Sequence, residues 1–297
     1  VNNWIVLAKV NATMTGGGPL TLGTNTIDIT VKECLLKNGW LGFFVGAGHT
    51  RLILIDNRVT ESFSGIHISS GGTELKMARN HAENIDGSVG TFWADHSWGI
   101  FVDHDQDGVI FHGNSVDSVI AKGGYSPFGI EIGHYQEVVA AMTADTEAAF
   151  LAALAAKGIR GLQMTDTQVN QVNKAYSCLI VCALNPQIDK VAVTNIDSGA
   201  QGIGISLLLC HEPTIVMPNV TGAVSASAYG ISLIGTIRAT IFAPVVAQFT
   251  SANSRGLRID PVLYSYAQAG RIIARGTQGT RVMGGNIAST AIGVYES

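Results

Sequence analysis

The feature of the sequence that most constrains the fold is one spacing of apolar residues that recurs along most of the chain. Apolar side chains stand five and three positions before Asn57, at Leu52 and Leu54, and Val59 follows two positions after it. The same frame fits seven further anchors, with the strand one residue closer at Asn195: Cys34, Asn80, Asn114, Thr167, Asn195, Asn219 and Pro244. Consecutive anchors are 23, 23, 34, 53, 28, 24 and 25 residues apart. Short alternating strands that recur at such a period are typical of a coil that stacks on itself.

Each anchor is followed by a small residue that opens a second short strand. These openings are Gly42, Gly65, Gly99, Gly129, Ala175, Gly202, Gly230 and Gly256. Glycine at the start of a strand suits a sharp corner, and an Asn at the same turn of successive coils can build a ladder of side-chain amides. We therefore predict an all-β fold, a single-stranded parallel β-helix (solenoid) of about eight to ten turns. Its predicted core columns are Leu52/Leu54, Ile66/Ile68, Val109/Phe111, Ile130/Ile132 and Ile203/Ile205.

Composition favours a folded chain and excludes several classes of function. A disordered chain needs high charge and low hydrophobicity, whereas 13% of the 297 residues are charged and 46% are hydrophobic. The net charge of -4 provides no basic surface for nucleic acid. No stretch has the roughly 18 uncharged apolar residues of a membrane span. The four scattered cysteines predict buried thiols rather than a disulfide framework: Cys34, Cys178, Cys182 and Cys210.

One segment departs from the strand pattern. Residues 143–158 carry alanine and leucine at helical density, with Asp145 and Glu147 near the start and Lys157 before Gly158 at the end. Acidic residues at the beginning and a base with glycine at the end are typical of a helix. We predict a lead-in or cap over residues 1–26 and a β-helix domain over 27–297. A helical insertion at about 136–158 is expected to pack on the side of the coil.

This pattern resembles the right-handed parallel β-helix of the pectate-lyase-like superfamily, which includes phage tailspikes and polysaccharide lyases and hydrolases. The resemblance covers about residues 25 to 290. It implies a right-handed coil at a virion tail or surface, or alternatively a secreted protein. It also implies binding and depolymerisation of a surface polysaccharide, with two carboxylates as acid and base, and assembly as a homotrimer.

Strand alternation predicts which polar side chains point outward. In the second strand of each turn the outward column is predicted to be Phe44, His67, Phe101, Glu131, Ser177, Gly204, Ser232 and Arg258. Asp103 lies one turn before Glu131 and two residues further along, so their backbones should be roughly 8 Å apart. That distance falls within the ~6.5–9.5 Å separation of the acid and base in inverting glycosidases. We therefore predict Asp103, Glu131 and His67 as catalytic residues, with Phe101 raising the pKa of Glu131 by desolvation.

The longest connections follow Asn80 and Asn114, and long loops on a rigid scaffold often carry function. Their aromatic and polar side chains, with neighbours on the strands, are suitable for stacking against sugar rings and bonding their hydroxyls. The predicted substrate-binding residues are Trp93, Asp95, His96, Trp98, Phe101, His104, Tyr125 and His134.

The run from Asp103 to Gly108 matches the opening of a calcium loop, D-x-D-x-D-G, with Asp105 and Asp107. Asn114 stands where an EF-hand needs a bidentate Glu. Val109 and Phe111 are needed in the core, which excludes a complete EF-hand. Two alternatives stay open: a calcium ion held by Asp103, Asp105 and Asp107, or an acidic turn without metal.

Two classes of function remain open: a polysaccharide depolymerase, and a non-catalytic virion or surface module that binds glycan or builds a spike. Outward positions of the first strand also predict an apolar stripe that a homotrimer would cover. These positions are Ile53, Ile55, Lys76, Ala78, Ile110, His112, Ile215 and Met217.

Overall fold

The chain folds into a right-handed parallel β-solenoid of about eight turns, with three parallel sheets. The computed structural model describes residues 5–13, 18–87, 96–120, 126–134, 141, 144, 146–172, 176–196, 201–223, 227–242, 244–249, 255–260 and 280–282.

Each sheet collects one strand from every turn, and every pairing is parallel. The first sheet contains β1 (Ile5–Ala8), β4 (Ile27–Lys32), β7 (Thr50–Ile55), β10 (Gly72–Ala78), β13 (Gln106–His112), β17 (Gln163–Thr165), β21 (Gln187–Asp189), β24 (Thr214–Val216) and β27 (Thr240–Phe242), with the short β16 (Ile159–Arg160) and β20 (Ala183–Leu184). The second sheet contains β2 (Asn11–Thr13), β5 (Leu35–Lys37), β8 (Arg58–Thr60), β11 (His81–Asp86), β14 (Ser115–Ile120), β18 (Gln168–Val172), β22 (Ala192–Thr194), β25 (Asn219–Ala223) and β28 (Val245–Phe249). The third sheet contains β3 (Leu20–Leu22), β6 (Leu41–Val45), β9 (Ser64–Ile68), β12 (His96–Val102), β15 (Ser126–Ile132), β19 (Tyr176–Val181), β23 (Gln201–Leu208), β26 (Ser227–Ile234), β29 (Arg255–Asp260) and β30 (Thr280–Val282).

A turn therefore has three strands, whereas the repeat predicts two. The predicted strands lie in the first and third sheets, and the segment between them forms the second sheet. Its strands are often only three residues long, as in β8, where Val59 alone points into the core. A single inward residue gives no alternation to recognise, which is why the repeat shows only an apolar position there.

The core is a stack of inward side chains, as the alternation predicts. Leu52 and Leu54 lie beneath Leu75 and Met77 of the next turn in direct register, and all four are buried in one continuous cluster. The predicted pairs are buried there too, except that Ile203 lies outside the cluster and the third-sheet pair is Ile205 with Leu207.

The corner between the first and second sheets carries the predicted asparagine ladder. The Nδ2 of Asn57 donates to Oδ1 of Asn80 at 2.9 Å, and the Nδ2 of Asn80 donates to Oδ1 of Asn114 at 2.9 Å. The same oxygens accept the main-chain N–H groups of Asn57 at 3.2 Å and of Asn80 at 2.9 Å. All three side chains are buried. A buried main-chain N–H without a partner is costly, so the ladder satisfies donors that the bend leaves outside the sheets.

In the later turns the same corner is occupied by other residues. The register places Val191, Pro218 and Pro244 after Thr167, one residue before the second-sheet strand in each case. The predicted anchors Asn195 and Asn219 are therefore wrong, and both side chains are exposed. Proline has no main-chain N–H to satisfy, so it removes the donor that an Asn would have to bond.

The glycines that open the third-sheet strands are required by close packing between turns. A Cβ on Gly65 would lie 2.1 Å from the carbonyl oxygen of Gly99, and one on Gly129 would lie 2.4 Å from that of Ser177. The predicted openings at Ala175 and Gly202 are each two residues too early. The register places Ser177 and Gly204 there. A shift by two preserves the inward and outward pattern, so alternation alone does not detect it.

The coil also extends into the predicted lead-in. Strands β1, β2 and β3 pair with β4, β5 and β6, and so form a first turn within residues 1–26. Leu7 and Leu20 pack against the core cluster from this turn.

The inserted helix is α1, Glu147–Lys157, capped by Thr146, whose Oγ1 accepts from the N–H of Ala149 at 3.2 Å. It lies between β15 and β16, inside the predicted 136–158, and contacts β16 and β20. Its buried Phe150 and Leu154 belong to a second apolar cluster outside the coil, which confirms the predicted packing. The helical residues that the structure describes include no run long and apolar enough to cross a membrane.

The predicted outward stripe on the first sheet is only partly present. Ile110 and Met217 are exposed, but Ile215 points into the core because the true corner residue is Pro218 rather than Asn219. Lys76 lies between Ile53 and Ile110 in the register. The four cysteines are free and buried, as predicted.

The ladder gives a test of the corner. Asn80→Ala removes the side-chain oxygen that accepts from the main-chain N–H of Asn57. It also removes Nδ2, which donates to the carbonyl of Leu54 at 3.0 Å. We expect a loss of about 3 kcal/mol in the free energy of unfolding, measured by chemical denaturation. Asn219→Ala, at the exposed position, is the matched control and should change it by less than about 0.5 kcal/mol. Equal losses in both variants would contradict this account of the corner.

Candidate active site

The outer face of the third sheet gathers the chemically active side chains. The register places Phe44, His67, Phe101 and Glu131 in one column across four consecutive turns. This is the arrangement that the alternation predicts for these turns. The next two predicted members of the column, Ser177 and Gly204, are wrong because of the two-residue shift described above, whereas Ser232 and Arg258 are confirmed. The column continues as Leu179, Ser206, Ser232 and Arg258.

This face was expected to be open to solvent, but much of it is covered. Glu131 is 4% exposed and Phe101 is 5% exposed. Leu179, the next residue in the column, belongs to the apolar cluster that includes Phe150 and Leu154 of α1. The helix that follows β15 in the chain thus packs over the neighbouring part of the sheet, and Glu131 lies at the edge of an apolar layer.

Aromatic rings surround His67. Its ring centroid lies 4.7 Å from that of Phe101, 5.3 Å from Phe44 and 6.3 Å from Trp98. Burial among these rings lowers the pKa of His67 to about 4, against a smaller upward effect of Asp103. His67 is therefore neutral at physiological pH. Its Nδ1 is buried and makes no hydrogen bond to the described residues, so it is available to a group that enters the site.

Glu131 is held by one strong donor. The indole Nε1–H of Trp98 donates to Oε2 of Glu131 at 2.5 Å. Burial raises the pKa of Glu131 to about 8, and the negative charge of Asp103 adds to this, whereas the bond from Trp98 acts in the opposite direction. At neutral pH the carboxyl group is mainly protonated, which is the state of a general acid.

Asp103 has the opposite character. Its Oδ1 accepts from the main-chain N–H of His104 at 2.7 Å and contacts Nδ1 of the same residue at 2.7 Å. Burial tends to raise the pKa of Asp103, but these bonds and the nearby His134 lower it below its ordinary value. Asp103 is therefore ionised at neutral pH, and since both contacts involve Oδ1, Oδ2 is able to accept a proton from water.

The predicted substrate-binding residues have different positions. Trp98 and Phe101 line the site, and the His134 ring lies 6.2 Å from Phe101, edge to face. Trp98 is directed at Glu131 rather than presented as an open platform. Trp93, Asp95 and Tyr125 lie outside the described residues, and of His96 only the backbone, in β12, is described.

Sequence reasoning missed an aromatic column beside the site. Trp98, Phe128 and Tyr176 are in register, with ring centroids 6.2 Å and then 5.5 Å apart and planes nearly parallel. The available signal was an aromatic residue directly before the small residue at the bend, in three successive turns. The frame shift at Ser177 hid the third member.

The three carboxylates of the predicted calcium turn do not converge. Asp103 bonds His104, whereas Asp105 and Asp107 form ion pairs with Arg160, at 3.2 Å and 3.6 Å. Among the described residues no group of three or more His, Cys, Asp and Glu side chains is arranged to hold a metal ion. Asp105 and Asp107 thus share Arg160 as a cationic partner, and the calcium alternative stays a prediction.

Comparison with known proteins does not identify the chain. No family model, no curated protein and no solved structure matches it.

The raised pKa of Glu131 predicts a pH-dependent stability. At neutral pH the folded chain keeps the proton on Glu131, whereas the unfolded chain, in which Glu131 has its ordinary pKa of 4.5, has released it. The contribution of this bound proton to the free energy of unfolding is therefore lost as pH rises through about 8. We expect the melting temperature of the parent, relative to Glu131→Gln, to fall between about pH 6.5 and about pH 8.5.

The lower limit avoids the histidines, because His49 and His67 have pKa values lowered to about 4 and are neutral above their ordinary 6.5 in both states. Calorimetric scans of both proteins across this range give the measurement. A constant difference between them would show that Glu131 titrates as an ordinary carboxyl group.

Proposed function

We propose that the chain is a tailspike-like surface protein that binds and cleaves a polysaccharide, with Glu131 as general acid and Asp103 as general base. One observation carries the proposal: two carboxyl groups on adjacent turns have opposite surroundings. Glu131 is buried and accepts from Trp98, whereas Asp103 accepts from the main-chain N–H of His104, and their pKa values are displaced in opposite directions. Environments that separate a pair in this way are a general mark of acid and base assignments. The resemblance of the repeat to tailspikes and polysaccharide-cleaving enzymes supports the choice of a glycan as substrate.

The proposed reaction is hydrolysis of a glycosidic bond. Glu131 donates its proton to the glycosidic oxygen as the bond from that oxygen to the anomeric carbon breaks. Asp103 takes a proton from a water molecule that attacks the anomeric carbon. Asp103 then loses this proton to solvent and Glu131 takes one up, which returns both groups to their initial states. The register places Asp103 one turn and two residues from Glu131, roughly 8 Å between backbones, which leaves room for the water that lies between acid and base in inversion.

The surrounding side chains have defined roles in this proposal. Trp98 fixes one oxygen of Glu131, which leaves Oε1 to protonate the leaving group. His104 fixes one oxygen of Asp103. The substrate reaches the pair from the side of Asp103, where the side chains of Asp103 and His104 keep 20% and 13% of their exposure. His67, neutral and with an unbonded Nδ1, can accept a sugar hydroxyl.

A second candidate function is a non-catalytic surface or virion β-solenoid that binds glycan or forms a spike. The observation that favours it is the near-complete burial of Glu131 with its bond to Trp98. In this alternative the acid and the indole form a buried polar contact that orients the aromatic column. The two candidates differ in whether substitution of Glu131 changes chemistry or only packing.

Cleavage assays separate the candidates. We expect the parent to release reducing ends from at least one member of a panel of capsular and pectin-like polysaccharides. Glu131→Gln and Asp103→Asn should each reduce that rate by about 10²–10⁴-fold, because each removes one proton-transfer group. The matched control is Asp166→Asn, a half-exposed carboxylate on the first-sheet side of the coil, which should keep the parent rate.

If Glu131→Gln and Asp103→Asn both keep the full rate on a cleaved polymer, this pair is not the active site. If no polymer is cleaved but one binds, the non-catalytic candidate stands instead. An unsaturated product, detected by its ultraviolet absorbance, would indicate elimination rather than hydrolysis.

Assembly as a homotrimer is a further part of the proposal. The exposed side chains Ile110, Met217 and Phe242 on the first-sheet side are large and apolar, and such surfaces are often covered by a symmetric partner. Light scattering at micromolar concentration should give three times the mass of the 31.2 kDa chain. A stable species with the mass of one chain would exclude the trimer.

A further inference from the structure

On the outer face of the second sheet, a serine, a histidine and a glutamate are joined by hydrogen bonds. His81 of β11 and Ser115 of β14 are direct register partners. Ser115 Oγ lies 2.7 Å from Nδ1 of His81, and Nε2 of His81 lies 2.9 Å from Oε2 of Glu83. Glu83 follows His81 by two residues, so strand alternation places both on the same face. Both ring nitrogens of His81 are therefore engaged, one by a hydroxyl and one by a carboxylate.

The charge of Glu83 determines the direction of these bonds. Burial raises the pKa of Glu83, but the bonds from His81 and Arg58 outweigh it, and the pKa lies below its ordinary value. An ionised carboxylate can only accept, so Nε2 of His81 carries the hydrogen. In the neutral imidazole with this tautomer, Nδ1 presents a lone pair to the hydroxyl of Ser115. A nucleophile bonded to a base that a third group orients is the general arrangement of nucleophilic catalysis.

Arg58 completes the arrangement from the preceding turn. Its Nε donates to Oε1 of Glu83 at 3.0 Å, and its Nη2 contacts the same oxygen. The carboxylate is thus held through Oε1 and gives Oε2 to His81. Glu83 and His81 keep 18% and 31% of their side-chain exposure, so the group lies at the surface without being fully solvated.

We propose that Ser115, His81 and Glu83 form a second active site, which hydrolyses small acyl esters. Ser115 Oγ attacks the ester carbonyl carbon while its proton passes to Nδ1 of His81. The bond from the carbonyl carbon to the alcohol oxygen breaks, and His81 returns the proton to that oxygen, which leaves an acyl group on Ser115. Water then attacks the acyl carbon and gives a proton to Nδ1 of His81. The bond from the acyl carbon to Ser115 Oγ breaks as His81 passes this proton to Oγ, which releases a carboxylic acid and restores the hydroxyl of Ser115. Glu83 is a positioning residue that keeps the proton on Nε2.

The neighbours of Ser115 define the class of substrate. Its flanking residues on the same face are polar: Asp117 two positions along the strand and Gln168 directly opposite on the next turn. Arg58, on the other side of His81, is mainly exposed. A long acyl chain would find no apolar contact with these three side chains, whereas they suit a short acyl group on a hydroxyl-rich alcohol. The expected substrate is an acetyl-type ester of a polar alcohol such as a sugar.

This site does not depend on the proposed glycosidase. Its residues lie on the second sheet, and Asp103 and Glu131 lie at the third. Each activity can therefore fail without the other.

Covalent labelling of the unchanged protein is the first test. A fluorophosphonate reacts with serines that a histidine activates, and we expect one adduct per chain, located on Ser115 by peptide mass mapping. Because the parent protein is used, the result does not depend on whether a variant folds. Absence of an adduct on Ser115, with or without adducts elsewhere, would overturn the proposal.

Hydrolysis of p-nitrophenyl acetate is the second test. Ser115→Ala and His81→Ala should lower kcat/KM by about 10²-fold or more. Glu83→Gln should lower kcat and slow fluorophosphonate labelling with little change in KM, a division that a purely structural role would not produce. Parent-like hydrolysis in Ser115→Ala would contradict the assignment.

His112→Ala is the matched control. His112 Nδ1 lies 2.7 Å from Oγ1 of Thr165 and 3.7 Å from Oδ2 of Asp166. The hydroxyl and the carboxylate therefore lie at the same ring nitrogen, so the ring does not connect them as the ring of His81 connects Ser115 and Glu83. The control should keep the parent rate of hydrolysis and labelling. Equal losses in His112→Ala and His81→Ala would attribute the activity to surface histidines in general and overturn the proposal.

Discussion

The structure depends on satisfying main-chain donors at the buried corner between the first and second sheets. Along the strands each N–H bonds a carbonyl of the adjacent turn, but at the bend the residue before the second strand needs another acceptor. Asn57, Asn80 and Asn114 supply that acceptor from their side chains, and Pro218 and Pro244 remove the donor. Both solutions keep the strands in direct register. That register in turn places every side chain above its counterpart, including His67, Phe101 and Glu131 on one face and His81 and Ser115 on another.

Much of the fold could be predicted from the sequence because a solenoid repeats its physical requirements. The Asn57–Asn80–Asn114 ladder, the glycine bends at Gly65 and Gly99, and the inward columns follow from spacing alone. The errors have two origins, the period of two along a strand and the occurrence of an exposed Asn beside the true corner residue. A slip from Ser177 to Ala175 keeps the alternation, and an exposed Asn219 beside Pro218 looks like one more member of the ladder. Short strands such as β8 carry too few inward residues to be recognised.

The sequence predicts which side chains of the candidate site share an outward column, but it does not predict which side chains surround them. The repeat brings His67, Phe101 and Glu131 into one column on three successive turns, since that depends only on register. Phe150 and Leu154 of α1 share an apolar cluster with Leu179, the next residue in the column after Glu131, and no strand pattern predicts that packing. The bond from Trp98 to Glu131 and the pairing of Asp105 with Arg160 likewise join residues that are far apart in sequence. The contact between His81 and Ser115 spans 34 residues and becomes visible only when the turns are stacked in register.

The position of the asparagine ladder has a mechanical consequence. Hydrogen bonds between turns run along the axis of the coil, so a force along that axis stretches them directly. The covalent chain runs roughly perpendicular to such a force. In the turns of Asn57, Asn80 and Asn114, side-chain amides add bonds between turns at one corner, and the corners at Pro218 and Pro244 lack even the main-chain donor. The coil should therefore be stiffer towards its beginning and should split first in its later turns, at the corner where proline stands. A coil held through its early turns would lose its far end under strain before the turns that carry the two candidate sites.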